Sequence, residues 1–238
     1  MRIAVAGGTG AVGRHVVEVA RERGHEVLVL ARSAGVDLVT GEGLDLAGVD
    51  AVVDASSVRT ASADTSTRFF EAVTRTLLAT PAPHLVALSI VGCDVVDMGY
   101  YEGKRRQEEL VLADPRGTVL RATQFHEFAG QMLERTRKGP FILAPRMRSQ
   151  PVAAREVGEA LVDLAEGPPV GRAEDLAGPD EHDMADLIRK VKQASRIRGL
   201  LVPVALPGAV GKQIRAGGLL PTGPGARGKQ TFDEWLAR

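Results

Sequence analysis

The chain has 238 residues, enough for one large α/β domain with an extension and a sizeable buried core. Hydrophobic residues are 44% of the chain and charged residues 25%, as in ordinary globular proteins. The 30 Lys and Arg balance the 30 Asp and Glu, which argues against nucleic acid or an anionic membrane as a partner. Cys93 is the single cysteine, which excludes an internal disulfide and a cysteine-based metal site. With no signal peptide expected, this composition predicts a soluble, cytoplasmic protein.

The first segment predicts a strand, a glycine-rich turn and an amphipathic helix. Residues 3–6 are apolar, and residues 7–13 read GGTGAVG. In such a turn one glycine makes the bend, one admits a pyrophosphate, and one lets the helix pack close to the strand. The helix start also directs free N–H groups at the phosphates. We therefore expect a dinucleotide to contact Gly7, Thr9, Gly10, Ala11, Val12, Gly13 and Arg14.

The end of the second predicted strand, residues 27–30, indicates which dinucleotide is bound. In dinucleotide-binding folds an acidic residue here binds the 2′-hydroxyl of NAD, whereas an arginine accommodates the 2′-phosphate of NADP. This strand is followed by Arg32, and Asp37 lies several residues further on. Arg32, joined by Arg14, therefore favours NADP(H) over NAD(H).

The third predicted strand covers residues 50–54 and is followed by Ala55, Ser56 and Ser57. Ligands of open α/β sheets bind at the carboxyl ends of the strands, and small residues there let a dinucleotide lie against the backbone. Just before this strand, two interpretations stay open: Asp45 and Leu46 contact the adenine, or Asp45 is a turn residue.

The next elements complete a βαβαβ alternation over about 120 residues. A helix is predicted over residues 64–80, a strand over 85–88, a helix over 100–113 and a strand over 118–120. This order predicts a Rossmann-like, doubly wound parallel sheet, with residues 1–125 as the NAD(P)-binding core.

Residues 126–238 are less regular and predict a small C-terminal substrate-binding extension, packed on the core within a single overall domain. Helices are expected at 127–138, 153–166 and 183–195, with Asp183 as a cap. Residues 221–228 predict a loop, and Phe232, Trp235 and Leu236 are expected to dock the C-terminus. The apolar run at 200–210 is interpreted either as a wall of the substrate pocket or as a subunit contact.

Three side chains make a candidate proton-transfer site. Tyr100 and Lys104 are four residues apart, so they share one face of a helix, and Ser89 ends the preceding strand. A lysine ammonium lowers the pKa of a nearby phenol, and such a tyrosine can protonate a carbonyl that receives hydride. A serine hydroxyl can hold the carbonyl oxygen. The competing interpretation is two exposed aromatic residues beside a solvated basic run.

The segment after the fifth strand carries further candidates. Gln124 and Phe125 are predicted beside the cofactor, and His126 and Phe128 beside the substrate. The alternatives are that His126 only starts a helix and that the phenylalanines fill the core. Because no base is evident beside Cys93, we interpret it as an inert thiol.

These segments resemble the short-chain dehydrogenase/reductases, in their atypical, NmrA-like branch. The resemblance rests on GGTGAVG, LSIVGCD, GYYEGKRRQEELV, LRATQFHEF and PVAAREVGEALVDLAEGPPVGRAEDLAGPD. It implies a Rossmann-like fold, an NAD(P) cofactor at Gly7, Gly10 and Gly13, and Arg32 near the ribose phosphate. Ser89, Tyr100 and Lys104 then match the catalytic positions, although Tyr101 competes with Tyr100 and the usual catalytic asparagine has no counterpart. Some members of the branch act as redox sensors.

Two functions follow as hypotheses. The first is an NADPH-dependent reductase of a small carbonyl or quinone-like compound, acting as a monomer or homodimer. The second is an NAD(P)-binding redox sensor without turnover, and an isomerase or dehydratase is a third possibility. The Ser89, Tyr100 and Lys104 set favours the enzyme, because a sensor needs no proton donor.

Overall fold

The computed structural model describes residues 1–238. The chain divides into two compact units, the first formed by Met1–Arg121 with Ala154–Glu174 and the second by Ala122–Ala153 with Asp175–Arg238. The strands in chain order are β1 (Arg2–Ala6), β2 (Glu26–Leu30), β3 (Ala51–Asp54), β4 (Leu85–Ile90), β5 (Gly117–Ala122), β6 (Arg137–Lys138), β7 (Phe141–Pro145), β8 (Arg148–Ser149), β9 (Gly171–Arg172), β10 (His182–Asp183) and β11 (Leu200–Val204). The helices are α1 (Gly13–Glu22), α2 (Ala63–Leu78), α3 (Gly99–Ala113), α4 (Glu127–Thr136), α5 (Ala154–Glu166), α6 (Met184–Ala194), α7 (Gly208–Arg215) and α8 (Phe232–Leu236).

A six-stranded sheet in the order β2-β1-β3-β4-β5-β9 forms the centre of the first unit. β1 pairs in parallel with both β2 and β3, and β3 pairs in parallel with β4. The predicted Rossmann-like parallel sheet is therefore confirmed. Since the chain proceeds to opposite sides of β1, the strand order reverses between β1 and β3, and open α/β sheets bind ligands at such a point.

Helices cover both faces of this sheet because successive strand residues point to opposite sides. On one face, Val73 and Leu77 of α2 and Val111 of α3 join a buried cluster with Ala4 and Val52 of the strands. On the other face, α5 packs on α1, β3 and β4. The apolar strands β1 and β3 are buried, as expected for strands covered on both sides, whereas β2 at the edge of the sheet is half-buried.

The predicted division of the chain at residue 125 differs from the observed one. Residues 154–174 return to the first unit, because α5 packs on the sheet and β9 pairs with β5. The sequence predicted the helix correctly, but its apolar face gives no information about which strands it will cover.

The second unit is built on a three-stranded sheet in the order β11-β7-β6 and a two-stranded sheet of β8 and β10. Helices α4 and α6 pack on β7 and on each other. The Asp183 side chain caps α6 by accepting a hydrogen bond from the Ala185 amide at 2.8 Å, as predicted. Phe232 of α8 is 1% exposed, which confirms its docking role. The apolar run from residue 200 pairs in parallel with β7, an arrangement that sequence analysis did not anticipate.

None of the helices combines the length and the apolar character needed to cross a membrane.

Candidate functional site

The glycine turn after β1 is closely packed on itself. Gly7 has a φ of +71°, a conformation that favours glycine, and its carbonyl oxygen accepts a hydrogen bond from the Gly10 amide at 2.8 Å. A Cβ on Gly13 would lie 2.1 Å from the same oxygen. Two of the three glycines therefore have the roles that the sequence assigned to them, the bend and the close packing of the helix.

The start of α1 presents backbone amides without side-chain partners. Val12 occupies the cap position, no side chain caps the helix, and no acidic residue lies in the first turn. Thr9, Gly10 and Ala11 are exposed just before it. Arg14 is exposed too, and its Nε lies 3.4 Å from Nε2 of His15. This arrangement suits a negatively charged group, because a helix start carries partial positive charge.

The segment after β3 packs directly against the glycine turn. A Cβ on Gly7 would lie 2.8 Å from both the Ala55 carbonyl oxygen and the Ser56 Cα. The next residue, Ser57, is exposed, and its Oγ lies 3.0 Å from the hydroxyl oxygen of Tyr100. The contacts therefore run from the glycine turn to the Tyr100 phenol, at the point where the strand order reverses.

Arg32 begins a single 3-10 turn directly after β2. Its side chain is exposed and forms no hydrogen bond or ion pair. Asp37, in contrast, accepts hydrogen bonds from the amides of Val39 and Thr40 at 2.8 and 3.3 Å. Asp37 therefore stabilises its own loop, and Arg32 is the free charged side chain at the end of this strand.

A recess of about 310 Å³ lies along β2 and the loop that follows it, lined in part by Leu30, Ala34 and Asp45. Asp45 also accepts a hydrogen bond from the Ala47 amide at 2.9 Å, which supports its role as a turn residue. The same residue lines the recess. Leu46 is 3% exposed and belongs to the core cluster. Its side chain is therefore not available to adenine, contrary to the expectation for this residue.

The two tyrosines of α3 have different surroundings. Burial raises the pKa of Tyr100, with the hydrogen bond to Ser57 opposing this effect and the Asp54 charge adding to it. Tyr101 is 8% exposed, and burial raises its pKa further. Lys104 does not contribute to either shift, so the expected lowering of the Tyr100 pKa by this lysine is absent.

The reason is that the Lys104 ammonium is bound elsewhere. Its Nζ donates hydrogen bonds to the Leu88 carbonyl oxygen and to Oε1 of Gln107, both at 2.8 Å. It also lies 4.1 Å from the centre of the Phe70 ring. The side chain is 4% exposed, and burial lowers its pKa to about 8.

Ser89 is the next-to-last residue of β4, close to the predicted strand end, and it is 2% exposed. Its Oγ lies 3.9 Å from the Cys93 Sγ, which in turn lies 3.5 Å from Oε1 of Glu108. Burial raises the pKa of Cys93 to about 11. Ser89, Tyr100 and Lys104 therefore share no hydrogen bond, because Ser89 faces the buried Glu108 group.

The four candidates after β5 lie in the second unit. His126 is fully buried, with its ring 5.5 Å from Phe232 and 5.6 Å from Trp235 between ring centres. Its role as a substrate contact is therefore not supported, since it packs in the aromatic group that docks the C-terminus. Gln124 and Phe125 pair with the backbone at Val152, and Phe128 is half-buried.

Two contacts of the site were not predicted from the sequence. Ser57 was expected beside the cofactor but not beside Tyr100, which is 43 residues away. Gln107 was not expected at the site, although this residue is three positions after Lys104 and so shares its helix face. The second signal was present in the sequence, but the first depends on tertiary packing.

Residues 3–78 match the model of the NAD dependent epimerase/dehydratase family. This segment contains the glycine turn, Arg32 and Ser57, and it ends before Tyr100 and Lys104. No curated protein sequence matches the chain.

Several solved structures share the fold at low identity. One is a short-chain dehydrogenase/reductase superfamily protein from Agrobacterium tumefaciens with bound NAD, at 17% identity, TM-score 0.67, and coverage of 100% of this chain and 95% of that one. Another is UDP-N-acetylglucosamine 4-epimerase from Bacillus cereus, at 16% identity and TM-score 0.65, with coverage of 99% of this chain and 96% of that one. A third is a dTDP-4-dehydrorhamnose reductase from Clostridium acetobutylicum, at 12% identity and TM-score 0.66, with coverage of 86% of this chain and 84% of that one. At these identities the likeness establishes the Rossmann-like fold.

Proposed function

We propose that the protein is an NAD(P)-dependent oxidoreductase of the short-chain dehydrogenase/reductase type, which reduces a small carbonyl or quinone-like compound with NADPH. The observation that carries this proposal is the line of contacts from Gly7 through Ala55 and Ser56 to the hydroxyl pair of Ser57 and Tyr100. It joins a phosphate-binding turn to a proton donor at the point where the strand order reverses. The match of residues 3–78 to an NAD dependent family supports the cofactor half of the proposal.

The residues of the first unit fit a dinucleotide. A Cβ on Gly10 would meet only the Gly7 carbonyl oxygen, at 3.1 Å, so the space over this exposed residue is open to a phosphate. The amides at the start of α1 would bind the pyrophosphate, and the free Arg32 side chain would pair with a 2′-phosphate. A bound nicotinamide supplies the hydride, and the protein supplies orientation and the proton.

Tyr100 is the proton donor in this proposal. Because burial raises its pKa, the phenol keeps its proton at neutral pH, which suits donation to a reduced carbonyl. Ser57 is the hydroxyl beside the donor, so we assign to Ser57 the orientation of the carbonyl oxygen that the sequence assigned to Ser89. The Tyr101 hydroxyl forms no hydrogen bond and is buried more deeply.

The test compares Tyr100→Phe with Tyr101→Phe, using NADPH oxidation against a panel of carbonyls and quinones. Loss of the Tyr100 hydroxyl should lower turnover by roughly a hundredfold or more while NADPH still binds. The Tyr101 variant should be mildly affected, since its ring is rotated about 100° around the helix. Full activity of the Tyr100 variant would overturn the assignment. NADPH binding by the wild-type protein without oxidation by any compound would favour the sensor instead.

A further inference from the structure

The buried part of the site contains a chain of hydrogen bonds that the proposed proton transfer does not use directly. Gln107 is fully buried, and its side-chain amide contacts charged groups at both ends. Its Nε2 donates a hydrogen bond to Oδ2 of Asp54 at 2.7 Å, and its Oε1 accepts one from Nζ of Lys104 at 2.8 Å. One amide therefore joins a buried carboxylate to a buried ammonium.

The Asp54 end of this chain belongs to the site. Asp54 is the last residue of β3 and is 1% exposed, and its Oδ1 accepts a hydrogen bond from the Ser56 amide at 2.9 Å. Ser56 in turn packs against the glycine turn. A movement of Asp54 would therefore shift the segment that carries Ser57.

The Lys104 end is joined to the proton donor by one aromatic ring. The Phe70 ring lies 4.1 Å from Nζ of Lys104 and 5.6 Å, between ring centres, from Tyr100. The ammonium and the Tyr100 ring therefore share Phe70 as a packing partner, and they share no hydrogen bond. A displacement of the ammonium would therefore disturb the Phe70 ring on which Tyr100 packs.

On the basis of the proposed function, we infer that Gln107 is a positioning residue: it ties Lys104 to Asp54, and so holds the charged ammonium against the Phe70 ring on which Tyr100 packs. Without the amide, the Leu88 carbonyl oxygen would be the one remaining direct acceptor of the Lys104 ammonium. Burial would then disfavour the charged form of this side chain. The other ionisable groups that act on Lys104 are Asp54 of β3, Cys93 after β4 and Glu108 of α3. Of the groups around Lys104, Gln107 is the one that contacts both the ammonium and a carboxylate.

The test uses two substitutions at the same position with opposite expected effects. Gln107→Met keeps the length of the side chain but removes both hydrogen bonds, so the pKa of Lys104 should fall below its value of about 8. Gln107→Glu keeps an acceptor for the ammonium, and its carboxyl would share a proton with Asp54 across the present 2.7 Å contact, so at least one negative charge stays near Lys104 and the pKa should stay or rise. The pKa is read from the Lys104 ¹³Cε resonance of the cofactor-free protein between pH 6 and pH 11.

The same variants are then compared in turnover against pH. The pH above which activity declines should be lower in Gln107→Met than in Gln107→Glu, in step with the Lys104 resonance. If Gln107→Met does not fold, Asp54→Asn tests the same chain, because loss of its negative charge should also lower the Lys104 pKa. An unchanged Lys104 resonance in these variants, or an equal fall in both Gln107 variants, would overturn the inference. Since the resonance needs neither cofactor nor substrate, its result is independent of whether the proposed reductase activity is found.

Discussion

The first turn of α1 crosses the glycine turn so closely that a Cβ on Gly13 would lie 2.1 Å from the carbonyl oxygen of Gly7. No side chain can occupy that space without a shift of the backbone. At Gly10 the corresponding distance to the same oxygen is 3.1 Å, and the residue is exposed with an ordinary φ. The two glycines should therefore have separable roles, Gly13 in the fold and Gly10 in phosphate binding.

We expect Gly13→Ala to lower the free energy of unfolding by about 3 kcal/mol, as overpacking against backbone does. Gly10→Ala should unfold near the wild-type temperature but bind NADPH at least about tenfold more weakly, because the new methyl group takes the phosphate's space. Thermal unfolding and a fluorescence titration with NADPH measure the two effects. Wild-type affinity in Gly10→Ala would place the dinucleotide elsewhere.

Arg32 provides a test of cofactor choice. Its guanidinium is exposed and unpaired at the end of β2, so Arg32→Ala should leave the fold intact. Loss of a charge-assisted pair with the 2′-phosphate should weaken NADPH binding by about ten- to a hundredfold and leave NADH binding unchanged. Arg21→Ala is the matched control, since Arg21 is likewise an exposed arginine but lies on the last turn of α1. Equal losses for both cofactors in Arg32→Ala would contradict the assignment.

The sequence predicted the elements of the first unit well, because each one carries a local signal. The glycine spacing, the continuous apolar strands and the helix at Tyr100 all follow from residues within about fifteen positions of one another. The side chains of the site depended on information that is not local. Tyr100 and Lys104 share a helix face as predicted, but the buried amide of Gln107 binds the ammonium in place of the phenol.

The contacts of the Ser89 side chain likewise depend on residues that are not local in sequence. The sequence places Ser89 near the end of a strand. Because side chains along a strand point alternately to the two faces of the sheet, its exact position decides which face its hydroxyl occupies. Its neighbours prove to be Cys93 and Glu108, and no pattern in the sequence pairs Glu108 with Arg121. Long-range ion pairs of this kind become visible only once the helix and strands are packed.

The thiol of Cys93 should be unreactive in the native protein. Burial raises its pKa to about 11, and the charge of Glu108 adds to this effect, so the thiol is protonated at pH 8. We expect iodoacetamide to label native Cys93 at least about a hundredfold more slowly than urea-unfolded protein, as judged by the mass of the adduct. Labelling at the unfolded rate would show that this part of the first unit is open to solvent.

Glu108 and Arg121 form a bidentate ion pair inside the first unit. Arg121 Nε donates to Oε1 at 2.7 Å and Nη2 donates to Oε2 at 2.6 Å, with side-chain exposures of 13% for Arg121 and 8% for Glu108. Glu108→Gln leaves Arg121 with the exposed Asp94, 2.9 Å from its Nη1, as the remaining carboxylate, and loss of the buried pair should lower the free energy of unfolding by about 3 kcal/mol. Glu109→Gln is the control on the same helix, where an exposed pair with Arg106 should contribute nothing measurable.

The effect of Glu108→Gln should depend on pH in a defined direction. Burial alone raises the pKa of Glu108, but the hydrogen bonds from Arg121 and Ser89 outweigh it, and the net pKa is lowered. A carboxyl group whose pKa is lowered in the folded state stabilises that state above its unfolded pKa of about 4.3, and this stabilisation is lost as the pH falls through the folded value. Urea unfolding of wild type and Glu108→Gln should therefore differ most near pH 7 and converge below pH 4. A difference that stays constant over this range would show that the ionised Glu108 carboxylate does not stabilise the fold.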